Sequence, residues 1–182
     1  MDFENIEYLK HGSARQREAY ATLTKNHILS TLKGFDPILV GSVPININIE
    51  RSDLDIICTF AGKQEFIKTL TNQFRNKDKF NIREIPDTDS PAVVANFFAD
   101  NFEIEIFDQP IPTKQQLAYR HLLVEKKLLN EYGSKFRQQI IHLKRQGHKT
   151  EPAFAIALGL KGDPYTELLK FETTDENPHT RR

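Results

Sequence analysis

The chain has one cysteine, no excess of charge of either sign and no long apolar run, and each scarcity closes off a class of function. A lone thiol, Cys58, cannot build an internal disulfide framework and fits a reducing compartment. Lysine plus arginine equals aspartate plus glutamate at 25 each. A protein that grips nucleic acid through many phosphate contacts is usually basic, so no strong nucleic-acid footprint is expected. No stretch approaches the roughly 20 apolar residues needed to span a bilayer. The start, "MDFENIEYLKHGS", is too acidic and polar for a signal peptide. A cytoplasmic location is the expectation, and nothing in the composition speaks to oligomeric state.

Internal repeats and long low-complexity segments are also missing. What is present, across 182 residues with thirteen Phe, is enough apolar material for one domain of mixed structure. Ser13 with Gln16 reads as a capping box opening a helix that runs to about Lys33, before Gly34. "PILVGS" and "DLDIICTF" read as short strands, and "KQEFIKTLTNQFRNK" has helical spacing at Phe66, Ile67, Leu70 and Phe74. "FNIREI" alternates, and Asp100-Asn101 inside "AVVANFFADNFEIEIFDQ" predicts a hairpin turn. From Thr113 the pattern becomes helical. Thr113 with Gln116 predicts a second capping box and a helix to Tyr132. Ser134 would cap a further helix ending near Gly147, Thr150 another, and Asp163-Pro164 a last one. The expectation is an α/β (α+β) single domain over 1–182, with a core at about 13–110, a helical extension at about 113–172 and a frayed tail at 173–182.

The chemistry concentrates in "LVGSVPININIERSDLDIIC". Side chains two apart on a strand share a face, so Asp53 and Asp55 project together, about 6–7 Å apart. Carboxylates crowded this way need a compensating cation, and a hard divalent ion that takes oxygen ligands supplies one. Two-metal sites usually need a further acid. "NFEIEIFD" offers Glu103 or Glu105 on one face, with Glu105 preferred, and Asp108 as a weaker candidate. Acids alternating with apolar residues also describe any half-exposed strand. Gly41-Ser42, ten residues before the pair, lets backbone amides and a hydroxyl approach a phosphate closely.

A strand, Gly-Ser, about ten residues, then Asp-x-Asp on the next strand and a later acid resembles the nucleotidyltransferase superfamily, which includes DNA polymerase beta and the small antibiotic nucleotidyltransferases. The resemblance covers about residues 35–108. It implies that fold, with a mixed β-sheet, flanking helices and a C-terminal helical extension. It implies two Mg²⁺ ions, or Mn²⁺, on Asp53, Asp55 and Glu105. It also implies NTP phosphates at Gly41 and Ser42, and an unknown hydroxyl-bearing acceptor. "QQLAYRHLLVEKKLL" and "LKRQGHKTEPAFAIALGLKGDPYTELL" resemble a small bacterial family of unknown function, and "GSVP" is similar to a loop of the GrpB-like proteins. This sequence departs from the superfamily in two places. Pro44 and "ININI" disfavour the short helix that usually follows Gly-Ser, and the third acid is Glu rather than Asp.

Outside that motif, Lys144 and Lys149 lie in a basic stretch before a helix start and are candidates for binding an anion such as pyrophosphate. The same stretch also reads as a solvated basic loop. His121, on an apolar helical stripe, reads as a buried hydrogen-bonded histidine, with Tyr119 and Arg120 beside it. The leading expectation is a metal-dependent nucleotidyltransferase. The alternatives are a nucleotide-binding protein without turnover, or an antitoxin-like partner-binding module.

Overall fold

Five strands and the helices between them follow the predicted order closely. The computed structural model describes residues 3–60, 62–86 and 91–172. The predicted tail at 173–182 lies outside them. The described chain forms two units, Met1–Tyr119 and Arg120–Arg182.

The first unit holds the sheet. Strand β1 (Ile38–Val40) pairs antiparallel with β2 (Leu54–Thr59), and β2 runs parallel to β5 (Phe102–Gln109). Strand β5 pairs antiparallel with β4 (Ala92–Ala99), and β4 with β3 (Asp78–Ile85), so the order is β1-β2-β5-β4-β3. Asp100, with φ 50°, and Asn101 make the β4–β5 turn as expected. Alternation sets the two faces. Leu54, Ile56, Cys58, Ile104 and Ile106 face a core shared with helices α1 (Ala14–Lys25) and α3 (Lys63–Phe74). Phe66, Leu70 and Phe74, four residues apart, form the buried stripe of α3, and Phe74 stacks on Phe97 with centroids 4.6 Å apart.

The Ser13–Gln16 capping box forms, and the Gln16 amide does a second job: its Nε2 donates to the carbonyls of Val43 and Pro44 at 2.9 and 3.1 Å. The predicted long first helix is interrupted. It breaks at His27, which takes a left-handed φ of 55°, and resumes as the short α2 (Ile28–Thr31). Gly41–Ile47 makes turns and no helix, as Pro44 predicts. The Thr113–Gln116 capping box does not form. Thr113–Gln115 is a 3₁₀ turn, and Gln116 Nε2 donates to the carbonyls of Cys58 and Ile111 at 2.7 and 2.9 Å. Those carbonyls need partners in the interior. Helix α4 therefore starts later, at Leu117, and runs to Arg145.

The second unit takes most of α4, kinked at Gly133 (φ 76°, ψ −161°) where the sequence predicts a break. Helices α5 (Thr150–Leu158) and α6 (Pro164–Leu169) complete it. Asp163 caps α6 as predicted, its Oδ2 accepting from the Thr166 amide at 2.9 Å. Thr150 is the first helical residue of α5 and not its cap, because its hydroxyl is the acceptor for the Lys144 ammonium at 2.9 Å. Phe136 packs edge-on to Phe154 at 5.6 Å within this unit.

Candidate active site

Pairing register places the acids. Asp55 on β2 lies directly beside Glu105 on the parallel strand β5, and opposite Val40 on β1. All three positions therefore share the sheet face turned away from α1 and α3. Glu105, not Glu103, is the cross-strand neighbour of Asp55, since Glu103 lies two residues nearer the start of β5, opposite Phe98 on β4. Asp53, Asp55 and Glu105 are half-buried and Glu103 is exposed.

Gly41 follows the last residue of β1 and is where the chain turns away at φ 76°. A Cβ built there would collide with Asp55 Oδ2. The Asp55 carboxylate thus occupies the space a side chain at 41 would need, and only glycine serves both the backbone angle and the close approach.

The ten-residue spacing also acquires a physical account. Val43, Ile45 and Ile47 are buried, so the loop plugs itself into the core. It closes on Ser52, whose Oγ accepts from the Ile49 amide at 2.9 Å and bonds the Ser42 hydroxyl at 3.2 Å. Gly41-Ser42 is thereby tied to the residue before Asp53. The reading from sequence placed Ser42 against phosphate; here its hydroxyl is buried and engaged with Ser52. Ser52 was missed, and the signal for it was a small hydroxyl residue immediately before the Asp-x-Asp pair.

A second missed residue is Asn96. It faces Glu105 across the β4–β5 ladder, and its Nδ2 donates to Glu105 Oε2 at 3.2 Å. Its signal was an amide alone among apolar residues in "AVVANFFA".

Asp108 lies on the other face of β5. It is completely buried, opposite Cys58 and Val93. Neither carboxyl oxygen has a hydrogen-bond partner among the described residues, and the nearby Gln109 amide offsets little. Burial pushes its pKa up to about 8. Cys58 is raised well above an ordinary thiol, by burial first and then by Asp108 and Asp36.

The remaining candidates belong to the second unit. The Lys144 side chain is buried and bonded to Thr150, while Lys149 is exposed at the N-cap of α5. Glu125 is also buried there. Burial and the Glu151 carboxylate raise its pKa well above the usual value, and Lys144 opposes them. His121 is buried, its Nε2 2.9 Å from the Tyr165 carbonyl, as predicted. Arg120 is held by Glu172 through two contacts of 2.7 Å.

Oxygen donors alone, beside a glycine that leaves room for them, suit a hard cation such as Mg²⁺ or Mn²⁺. Among the described residues no three His, Cys, Asp or Glu side chains are gathered closely enough to form a ready coordinating cluster.

Residues 21–171 match the family described as Domain of unknown function (DUF4269). The chain belongs to the DUF4269 family. No curated protein matches it significantly in sequence. Among solved structures, the Cid1 poly(U) polymerase in a MgATP-bound mutant aligns with this DUF4269 chain at a TM-score of 0.55 and 12% identity, covering 84% of this chain and 53% of that one. A Cid1 structure described for its RNA terminal uridylyl transferase activity gives 0.52 and 12%, over 76% and 45%. The GLD-2/RNP-8 complex gives 0.52 and 13%, over 86% and 63%. The chain spans roughly half the length of the structures it matches. At these identities the likeness carries the fold: this DUF4269 protein has a nucleotidyltransferase-like mixed sheet with flanking helices.

Proposed function

We propose that this protein is a metal-dependent nucleotidyltransferase that moves a nucleotidyl group from an NTP to a hydroxyl-bearing acceptor. One observation carries the reading: Asp55 and Glu105 are in-register neighbours on parallel strands, with the Asp55 carboxylate filling the space that Gly41 leaves open. A half-exposed strand explains alternating acids. It does not explain a glycine given up to one of them.

In this mechanism Asp53, Asp55 and Glu105 would hold divalent cations, whose charge would offset that of the triphosphate. The backbone amides at Gly41 and Ser42 hold the β- and γ-phosphates against the loop that Gln16 and Ser52 keep closed. The acceptor oxygen bonds to the α-phosphorus as the α–β bridging P–O bond breaks, and pyrophosphate leaves with the bonding pair. The acceptor proton passes to a Glu105 carboxylate oxygen. Most of the rate enhancement comes from positioning and fixed charge.

A nucleotide-binding protein without turnover is the second reading, favoured by the engagement of the Ser42 hydroxyl with Ser52. A thermal-shift panel of the four NTPs, with Mg²⁺, Mn²⁺ or EDTA, tests the site on wild type and Asp55→Asn. A ligand at 100 times its Kd stabilises the fold by about 2.7 kcal/mol. The expected result is a metal-dependent shift with at least one NTP that Asp55→Asn loses. No shift with any NTP overturns the reading. A shift without labelled pyrophosphate release, across a panel of sugar, nucleoside and RNA-end hydroxyls, favours the second.

A further inference from the structure

Strand β4 reads Ala-Val-Val-Ala-Asn-Phe-Phe-Ala, and Asn96 is its one polar side chain. Asparagine is disfavoured in strand interiors, and a half-buried amide is costly unless its groups are matched. Here both ends are matched, and by opposite chemistries. Arg83 on β3 donates from Nη1 to Asn96 Oδ1 at 3.0 Å. On the other side, Asn96 Nδ2 lies 3.2 Å from Glu105 Oε2 and 3.5 Å from Glu103 Oε1. A guanidinium can only donate and a carboxylate can only accept, so these partners fix which way the amide faces.

We propose that Asn96, clamped by Arg83, is a positioning residue that holds Glu105 in place as the third carboxylate of the site. The inference rests on the nucleotidyltransferase reading of that site. Asn96 stands directly opposite Glu105, and its shorter contact goes to the half-buried Glu105 while the longer one goes to exposed Glu103. The amide therefore distinguishes two acids that sequence alternation leaves equivalent. It engages one Glu105 oxygen and leaves the other for a cation and the acceptor proton. An uncharged donor suits this task. A lysine or arginine in direct contact would cancel the negative charge that attracts the metal, whereas Arg83 acts one residue removed. Outer partners of this kind typically change metal affinity 10- to 100-fold when lost.

The test reads Glu105 itself before it reads any metal. Three-bond couplings across the Glu105 side chain, measured by NMR in the metal-free protein, report whether it keeps one rotamer. Wild type is compared with Asn96→Ala, with Arg83→Gln at an exposed site that spares the fold, and with Glu103→Gln as control. Mn²⁺ alone is then titrated into each by water-proton relaxation. The expected result is a single Glu105 rotamer in wild type and Glu103→Gln, averaged couplings in Asn96→Ala and Arg83→Gln, and about tenfold weaker Mn²⁺ binding in Asn96→Ala. Couplings already averaged in wild type, or unchanged in both variants, overturn the positioning role while Mn²⁺ binding can still uphold the carboxylate site. Averaging in Asn96→Ala with unchanged Mn²⁺ affinity also overturns it. A locked Glu105 in a wild type that binds no Mn²⁺ removes the site reading and the inference together.

Discussion

Glu105 and Asp108 stand three residues apart on one strand, yet the sheet gives them opposite chemistry. Glu105 is on the face shared with Asp55 and receives a hydrogen bond from Asn96. Asp108 is on the core face, wholly buried, with no hydrogen-bond donor on either oxygen among the described residues. An acid with a donor on one oxygen and an open side is placed to meet a cation. One enclosed by hydrocarbon holds its proton. The difference is made by the neighbouring strands, because β5 itself presents both residues in the same "IEIFDQ" run.

Replacing each acid by its amide breaks this comparison most sharply. Glu105→Gln should lower NTP-dependent transfer by about 10³-fold, in the range for a lost general base and metal ligand, while changing stability by less than about 0.5 kcal/mol. Asp108→Asn should leave transfer unchanged. Steady-state transfer rates paired with urea melts check both. Loss of activity in Asp108→Asn with Glu105→Gln unaffected would assign the roles the other way round.

Stability against pH sharpens the same contrast. The folded-state pKa of Asp108 is about 8, above its ordinary value of 3.8. Below about pH 4 both folded and unfolded chains bind this proton, so it contributes no difference. As pH rises toward 8 the unfolded chain releases the proton first, and folding becomes progressively less favourable. Above pH 8 both states have lost it and the penalty is constant. Asp108→Asn, which mimics the protonated form, should therefore be more stable than wild type by an amount that grows from pH 4 to pH 8. At pH 7 the gain is on the order of 4 kcal/mol as an upper value. Denaturant melts at pH 5, 7 and 8.5 measure it, and a gain independent of pH would mean that Asp108 ionises normally.

Much of this was legible in the chain because side-chain period and turn chemistry are local. The strands, the Asp100-Asn101 turn, the α3 stripe, the break at Gly133 and the Asp163 cap all follow from patterns of a few residues. So does the placing of Asp55 and Glu105 on one face, once β2 and β5 are neighbours; Asp53 precedes the first residue of β2. What was not legible depends on partners distant in sequence. Gln116 leaves its capping box because the Cys58 carbonyl, 58 residues away, needs a donor. Ser42 turns to Ser52 because the intervening loop buries its own isoleucines. The partners of Asn96 lie on both adjacent strands, and no window of sequence contains all three. Asp108 ranked low as a candidate because it follows an apolar run. That position on the strand is what buries it.

Two glycines offer a finer version of the comparison. Gly41 and Gly133 share a φ of 76°, so alanine is strained at both. Around Gly133 a Cβ meets nothing within 4 Å among the described residues, whereas at Gly41 it collides with the Asp55 carboxylate. Gly133→Ala should cost about 1–3 kcal/mol from backbone strain alone, and Gly41→Ala about 1–2 kcal/mol more. Only Gly41→Ala should also abolish the metal-dependent nucleotide shift, since it displaces Asp55. Equal melting temperatures and equal nucleotide shifts for the two variants would remove the close approach from the argument.

The smallest effect is read at Cys58, the cross-strand neighbour of Asp108. Its thiol is buried and its pKa is raised, so a disulfide reagent should modify it only when the fold opens. Modification then counts openings. Between pH 7 and pH 9 the rate rises in any variant, because an exposed thiol ionises over that range. Wild type carries a further increment that Asp108→Asn lacks. Asp108 is mostly protonated at pH 7 and mostly charged at pH 9, and the added penalty favours the open form by about tenfold at most. The measurement is the ratio of labelling rates at the two pH values, taken in wild type and in Asp108→Asn. A larger ratio in wild type shows that the charge on Asp108 is paid for by the fold as a whole. Equal ratios would mean that Cys58 is reached through a local opening that leaves Asp108 enclosed, and the two cross-strand neighbours would then belong to separately opening parts of the sheet.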